Sequence, residues 1–234
     1  MARSRRSERT KRAGVSLSSA ALAASFVFVL YQAPSASAAA ITAGLWHMDE
    51  TSGTTAHDSS GLQNDGTLTD VTFVTPGFDG TGGAYAFNGT SSQVKIPNSA
   101  SLNPGAQDIT ITVHVNFIAL PGSVGDYDLV RKAGSGTFYK IEISGKGQAV
   151  CLFKGTTAKG KVAFGPALND GSWHSITCAK ASGSVTATVD GQSSSRAFTV
   201  GSISNSVPLV LSGKKTGTDD LYHGVMDEVS IGFG

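Results

Sequence analysis

Chemistry-bearing motifs are scarce in this chain of 234 residues. Its two cysteines are Cys151 and Cys178, and no third cysteine or Cys-His spacing offers a metal knot. Neither Gly-x-Ser-x-Gly nor His-Glu-x-x-His occurs, so the local signatures of a serine hydrolase and a zinc protease are missing. No Glu-x-Asp-x-Glu run puts a series of carboxylates on one face of a strand. Beyond residue 38 there is no apolar run of membrane length, no basic stripe, no repeat and no sustained 3.6-residue periodicity. Glu, Leu and Lys are few. Together these absences argue against a helical bundle, a membrane protein and a nucleic-acid surface.

The first 38 residues read as a secretory signal peptide. Six basic residues between Arg3 and Arg12 form the head, Val15 to Leu30 is an apolar run diluted by serine, and Ala36-Ser37-Ala38 is a cleavage site. The run is short and the site follows at once, which speaks against a retained anchor. Glu8 stands where a twin-arginine signal places an apolar residue, so the general secretion route is expected. Six of the 18 basic and one of the 17 acidic residues leave with the leader, so residues 39–234 carry a formal charge of −4. That mildly acidic balance argues against nucleic acid or anionic membrane as partner. The expected product is a secreted, extracellular monomer of one domain, residues 39–234, free of the membrane after cleavage.

What the chain does have is glycine and period-2 alternation. Residues 39–234 keep 28 of the 29 glycines, about twice the usual share. With many Thr, Ser and Val, this composition makes turns and strands. From Asp108 to Leu120, Ile109, Ile111, Val113, Val115 and Phe117 take one face, and Thr110, Thr112, His114 and Asn116 the other. His174 to Cys178 and Val185 to Val189 form a hairpin through Ser182-Gly183, and Asp190-Gly191 closes its second strand. Arg196 to Val200 reads as a further strand. Twelve to fourteen strands at regular spacing predict an all-β, two-sheet antiparallel sandwich.

Cys151 and Cys178 both fall in mid-strand, and an oxidising compartment favours a disulfide between them. If Ile176 faces the core, Cys178, Cys151 and Phe153 face it too. Trp46 and Trp173 sit beside alternating apolar residues and are expected in the core or at its edge. His174 is expected to be a hydrogen-bonded neighbour rather than a catalyst. The outward row of Thr110, Thr112, His114 and Asn116 offers a binding floor, to which Lys140 and Glu142 of a neighbouring strand would add and Tyr127 would bring a stacking ring.

Six short segments in order carry a family resemblance. Trp46-His-Met-Asp49-Glu50, Asp58-Ser-Ser-Gly61 and Ala86-Phe87-Asn88-Gly89 resemble the opening of laminin-G-like jelly rolls. Asp170-Gly-Ser-Trp173-His174, Val189-Asp190-Gly191 and His223-Gly224-Val-Met-Asp227-Glu228-Val229 resemble the second half. The group belongs to the concanavalin-A-like lectin and glucanase superfamily. The resemblance implies a jelly-roll β-sandwich that binds glycan or extracellular protein. It also implies one structural calcium ion on Asp227, with Gly89 and His47 as carbonyl donors and Asp49 and Asn88 as further candidates. Glucanases of the superfamily carry paired carboxylates on one strand. The nearest cluster, Asp227-Glu228, would put its two carboxylates on opposite faces. The expected function is therefore non-catalytic carbohydrate binding. A protein-binding adhesion or structural role is the second class, and a glycoside hydrolase without the usual carboxylate motif the third.

Overall fold

The computed structural model describes residues 40–122, 125–181, 183–214 and 219–234. The expected signal peptide lies outside the described residues. In chain order the strands are β1 (Ile41–Trp46), β2 (Thr55–Ala56), β3 (Gly66–Thr69), β4 (Thr72–Val74), β5 (Ala84–Asn88), β6 (Gln93–Ile96), β7 (Ile109–Asn116) and β8 (Asp126–Lys132). They continue with β9 (Phe138–Ser144), β10 (Ala149–Lys154), β11 (Lys159–Phe164), β12 (Trp173–Ala181), β13 (Ser184–Val189), β14 (Gln192–Ala197), β15 (Leu209–Leu211) and β16 (His223–Phe233). Ala100–Leu102 makes one 3-10 turn, capped by the Ser99 side chain.

The strands form two antiparallel sheets. The first runs β14-β13-β12-β7-β16-β5-β4, with β1 paired to the later half of β16. The second runs β11-β10-β9-β8-β15-β6-β3-β2. The inward faces close on one core that includes Trp46, Tyr85, Ile111, Ile141, Phe153 and Ile231. β7 shows the cause at residue level. Its isoleucines and valines are buried while Thr110, Thr112, His114 and Asn116 point away, as period-2 alternation requires.

Cys151 and Cys178 are joined, with Cα atoms 5.3 Å apart. The bond runs from β10 in one sheet to β12 in the other, and both cysteines are fully buried together with Phe153 and Ile176. The expected pairing and the expected shared face are both present.

Other local readings change. Asp190 and Gly191 both have positive φ, 49° and 79°, the geometry of a two-residue hairpin turn. This turn leads straight into β14, so the edge strand is Gln192–Ala197 and not Arg196 to Val200. Trp46 is fully buried as expected, but Trp173 faces outward. Strand parity decides it. His174, Ile176 and Cys178 take the inward side, so Trp173 cannot share it.

Candidate functional site

The outer face of the first sheet is built around Asp227 on β16, which pairs with His114 on β7. A register shift follows at once, between Asp227 and Ser230, and Glu228 takes a φ of 49°. The bulge cancels the strand alternation expected of Asp227-Glu228. Glu228 reaches His47, with Nδ1 2.9 Å from each carboxylate oxygen. The hydrogen bond to Glu228 raises the His47 pKa. Asp227 is 3% exposed. It accepts from the backbone N–H of Phe78 at 2.7 Å and of Glu228 at 2.9 Å. Burial pushes its pKa up to about 6 despite those bonds, with Glu228 and Asp49 adding to the rise.

The segment between β4 and β5 folds over this spot. Phe78 stacks on His114 with ring centroids 3.7 Å apart, and meets Trp173 edge-on at 5.9 Å. Gly77 permits the approach, since a Cβ there would lie 2.6 Å from Asp227 Oδ2. The Asp49 carboxylate holds the far end through Gly83 N–H at 2.6 Å. Burial lowers the His114 pKa, and its Nδ1 is enclosed without a hydrogen-bond partner. Asn116 pairs with Trp173 across the strands. Beyond it, residues 116–119 and 223–225 border an open cleft of about 410 Å³.

His174, behind Trp173, is structural. Its Nδ1 lies 2.8 Å from Asp190 and its Nε2 3.1 Å from Asp170. Burial disfavours the charged ring, but the hydrogen bonds to the two carboxylates outweigh it and raise the pKa.

The five donors that the resemblance assigns to calcium do not gather. Asp49, His47 and Asp227 are close, but Asn88 and Gly89 stand beside His223. That is four residues from Asp227 along β16, about 13 Å at strand rise. Asn88 Oδ1 is taken up by the turn, accepting from the N–H groups of Thr90, Ser91 and Ser92. Both Asp227 oxygens are committed to backbone N–H groups. Among the described residues no group of three or more His, Cys, Asp or Glu has an arrangement that could hold a metal ion. The residues do not fit the ion.

The sequence-derived binding floor also divides. His114 and Asn116 lie on the first sheet, whereas Lys140 lies on β9 of the second, bound to Asp128 and Glu142. Tyr127 is 6% exposed. It packs edge-on against Phe117 and Tyr222 and donates to the Ala119 carbonyl, so it offers no free ring. Its neighbours were overlooked. Asp126-x-Asp128 is a carboxylate pair two residues apart on β8, with Glu142 opposite Asp128. Burial pushes Asp126 and Asp128 up to about 6. Asp128 is nevertheless locked between Arg131 and Lys140. Phe78 was missed as well, since the fold-over segment has no sequence signature, and the facing of Glu228 was misjudged because the bulge has none either.

Asp227 predicts a pH dependence. Its folded pKa, about 6, lies above the ordinary 3.8, so the fold favours the protonated form. The associated stability is complete below the ordinary value, falls as pH rises to about 6, and stays lost above it. The difference is on the order of 3 kcal/mol. Relative to wild type, Asp227→Asn should therefore gain stability between pH 4 and pH 7 in paired chemical denaturation curves. Parallel curves would contradict the assignment.

Two antiparallel sheets enclosing one core, with this strand order and with polar and aromatic groups on an open outer face, define a lectin-type jelly-roll sandwich. The chain belongs to the Laminin_G_3 family of the Concanavalin A-like lectin/glucanases superfamily, whose model matches residues 87–232. Its fold is similar to the binding domain of Paraclostridial Mosquitocidal Protein 1, with a TM-score of 0.65 and 18% identity over 82% of this chain and 48% of that one. It is similar to the Botulinum neurotoxin serotype D binding domain, with a TM-score of 0.64 and 11% identity over 82% and 47%. Domain 4 of AbnA, a GH43 extracellular arabinanase from Geobacillus stearothermophilus solved with arabinotriose, gives 0.63 and 15% identity over 83% and 93%. The chain thus spans about half the length of the two toxin domains. No curated protein sequence matches it.

Proposed function

We propose that the chain is an exported, monomeric, non-catalytic module that binds carbohydrate. The observation that carries this reading is the half-buried Trp173, held outward with Phe78 and His114 at the head of a polar sheet face and next to the cleft beyond Asn116. A flat indole at the rim of such a face suits the apolar side of a sugar ring, and neighbouring amides and hydroxyls suit its edge. The arabinotriose bound to the similar AbnA domain supports the same reading. Export agrees with the basic leader and with the disulfide, which needs an oxidising compartment.

Catalysis is disfavoured because three of the clustered carboxylates are already engaged. Asp227 serves two backbone N–H groups, Glu228 serves His47, and Asp128 serves Arg131 and Lys140. On a glycan array the wild-type protein should bind defined sugars, and Trp173→Ala should lose at least tenfold in affinity. Glycan binding unchanged in Trp173→Ala would remove the site. No glycan binding together with retention on cell surfaces would favour the adhesion class. Glycan hydrolysis lost in Asp126→Asn would establish an enzyme instead.

A further inference from the structure

His174 is held by two carboxylates at once, one on each ring nitrogen. Asp190 Oδ2 lies 2.8 Å from Nδ1, and Asp170 Oδ1 lies 3.1 Å from Nε2. A carboxylate accepts, and a neutral imidazole carries one N–H. Both contacts are hydrogen bonds only when the ring is an imidazolium. The His174 side chain is 11% exposed, against 48% for Asp190 and 57% for Asp170, so the ring is enclosed while both partners reach water. On β7, His174 pairs with Val115, which carries no charge. Among the described residues, Asp170 from the turn before β12 and Asp190 from the β13–β14 turn are the titratable groups that act on the ring. Burial lowers its pKa, and the hydrogen bonds to Asp190 and Asp170 more than reverse this, leaving it above the ordinary 6.5.

The two ends of this bridge are not equal. Asp190 is fixed independently of the ring: its Oδ1 accepts from Ser175 N–H at 2.8 Å, and its own N–H donates to the Ser175 carbonyl at 3.0 Å. Asp170 otherwise accepts from Ser172 N–H at 2.7 Å, a bond within its own turn. When the ring gives one proton to water, the remaining N–H stays on the shorter contact, from Nδ1 to Asp190. Nε2 then turns a lone pair toward Asp170 Oδ1, and two acceptors 3.1 Å apart repel. The more exposed carboxylate swings out. It belongs to the turn that leads into Trp173. Gly171 N–H donates to the Phe117 carbonyl at 3.1 Å, and Asn116 Nδ2 donates to the Gly171 carbonyl at 2.9 Å. Asn116 and Phe117 border the cleft, and Asn116 pairs with Trp173. The indole therefore stands between this turn and His174, and one proton ties the two together.

We propose that His174 is a positioning residue for Trp173: an imidazolium bridge from Asp190 to Asp170 that holds the indole's turn in its binding position and releases it when the ring is neutral. The inference rests on the carbohydrate reading of Trp173 and adds its regulation by a proton, with sugar held more tightly on the acid side. The sign follows from the raised pKa: the bridge is complete below 6.5 and is lost as pH rises through the folded value. Asp227 and His47 also titrate on this face, so the test follows His174 itself. In NMR spectra of the purified, nitrogen-15-labelled protein from about pH 5 to about pH 9, both His174 nitrogens should be protonated at the acid end, with a midpoint above 6.5. The Trp173 indole N–H signal should move with the same midpoint. That of Trp46, bonded to the Asn64 carbonyl, should stay. Affinity for arabinotriose, and for the sugar held most tightly on the array, should fall by about threefold or more across that midpoint.

Asp170→Asn separates this bridge from a bond that serves architecture alone. The amide keeps the shape of the carboxylate, and its oxygen still accepts from Ser172 N–H, while its NH2 group donates to the lone pair of a neutral Nε2. The variant should lower the His174 midpoint, keep the Trp173 indole signal in place to the alkaline end and flatten the pH profile of affinity. A purely architectural role predicts a loss at every pH instead, and that result would refute the proposal. A His174 midpoint at or below 6.5, a ring with one N–H throughout, or a Trp173 signal that ignores the His174 titration would overturn it as well. Absence of glycan binding on the array, with ring and indole titrating together, would overturn the carbohydrate reading and leave the bridge standing.

Discussion

Loss of the Cys151–Cys178 bond should cost the protein about 3.5 kcal/mol of stability. The closed loop spans 27 residues, and chain-entropy scaling for a loop of that length gives this figure. The effect has a distinct structural setting. The bond ties β10 to β12 across the sandwich interior, so it fixes the two sheets against each other and not merely two neighbours in one sheet. Paired urea titrations of the oxidised protein and of the protein unfolded and refolded under strong reductant would measure the cross-link alone. The Cys151→Ala, Cys178→Ala double variant should fall further, because removing two fully buried sulfurs leaves a void. A reduced protein within about 1 kcal/mol of the oxidised one would show that packing already sets the spacing of the sheets.

Lys132→Met should be comparably damaging, at about 3 kcal/mol or more. Lys132 has no exposed surface, and its four hydrogen bonds all go to amide and backbone carbonyl oxygens. Its ammonium sits in an oxygen cage formed by Asn98 Oδ1 at 2.7 Å, Asn205 Oδ1 at 2.9 Å, and the carbonyls of Asn205 and Val207, both at 3.0 Å. Burial pushes its pKa down to about 8. The cage pins the segment before β15 to the end of β8, and Asn205 Nδ2 returns bonds to the Lys132 and Thr137 carbonyls. Methionine fills the same space but strands those acceptors away from water. Lys132→Arg should not restore stability, since a planar fork does not fit a site shaped for one ammonium. Guanidinium denaturation midpoints would decide. A Lys132→Met loss below about 1 kcal/mol would mean that water replaces the ammonium in the cage.

The fold was largely legible because its signals are local and repeated. The alternation of β7, the Asp190-Gly191 turn and the two cysteines each point to the same sandwich, and each holds in the structure. What escaped depends on context. β14 reads Gln-Ser-Ser-Ser-Arg-Ala, with no apolar alternation, because an edge strand this exposed has no buried face to encode. Trp173 was read into the core or its edge from the alternating apolar residues beside it, although that same alternation puts it on the side opposite to His174, Ile176 and Cys178. The Asp227-Glu228 bulge turns on one residue in the left-handed region, and Glu is not a residue that announces it. Lys140 was joined to His114 because a sequence does not say which of two sheets a strand enters. Lys132 drew no attention, since a lysine at a strand end usually faces solvent.

The place of β16 has a consequence for the order of assembly. Its first half pairs with β5 and its second half with β1, while β7 lies along its other side. Ile41 meets Phe233 across that ladder. Until β16 has formed, the first sheet is therefore three separate pieces: β1, the β5-β4 pair, and β7-β12-β13-β14. Contacts between such distant parts of a chain close slowly, and here they are needed at the middle of the sheet. The hairpins of the second sheet and the β12–β13 hairpin can form early from local contacts. Asp227 meets His114 on the outer face only when β16 is laid between its three neighbours.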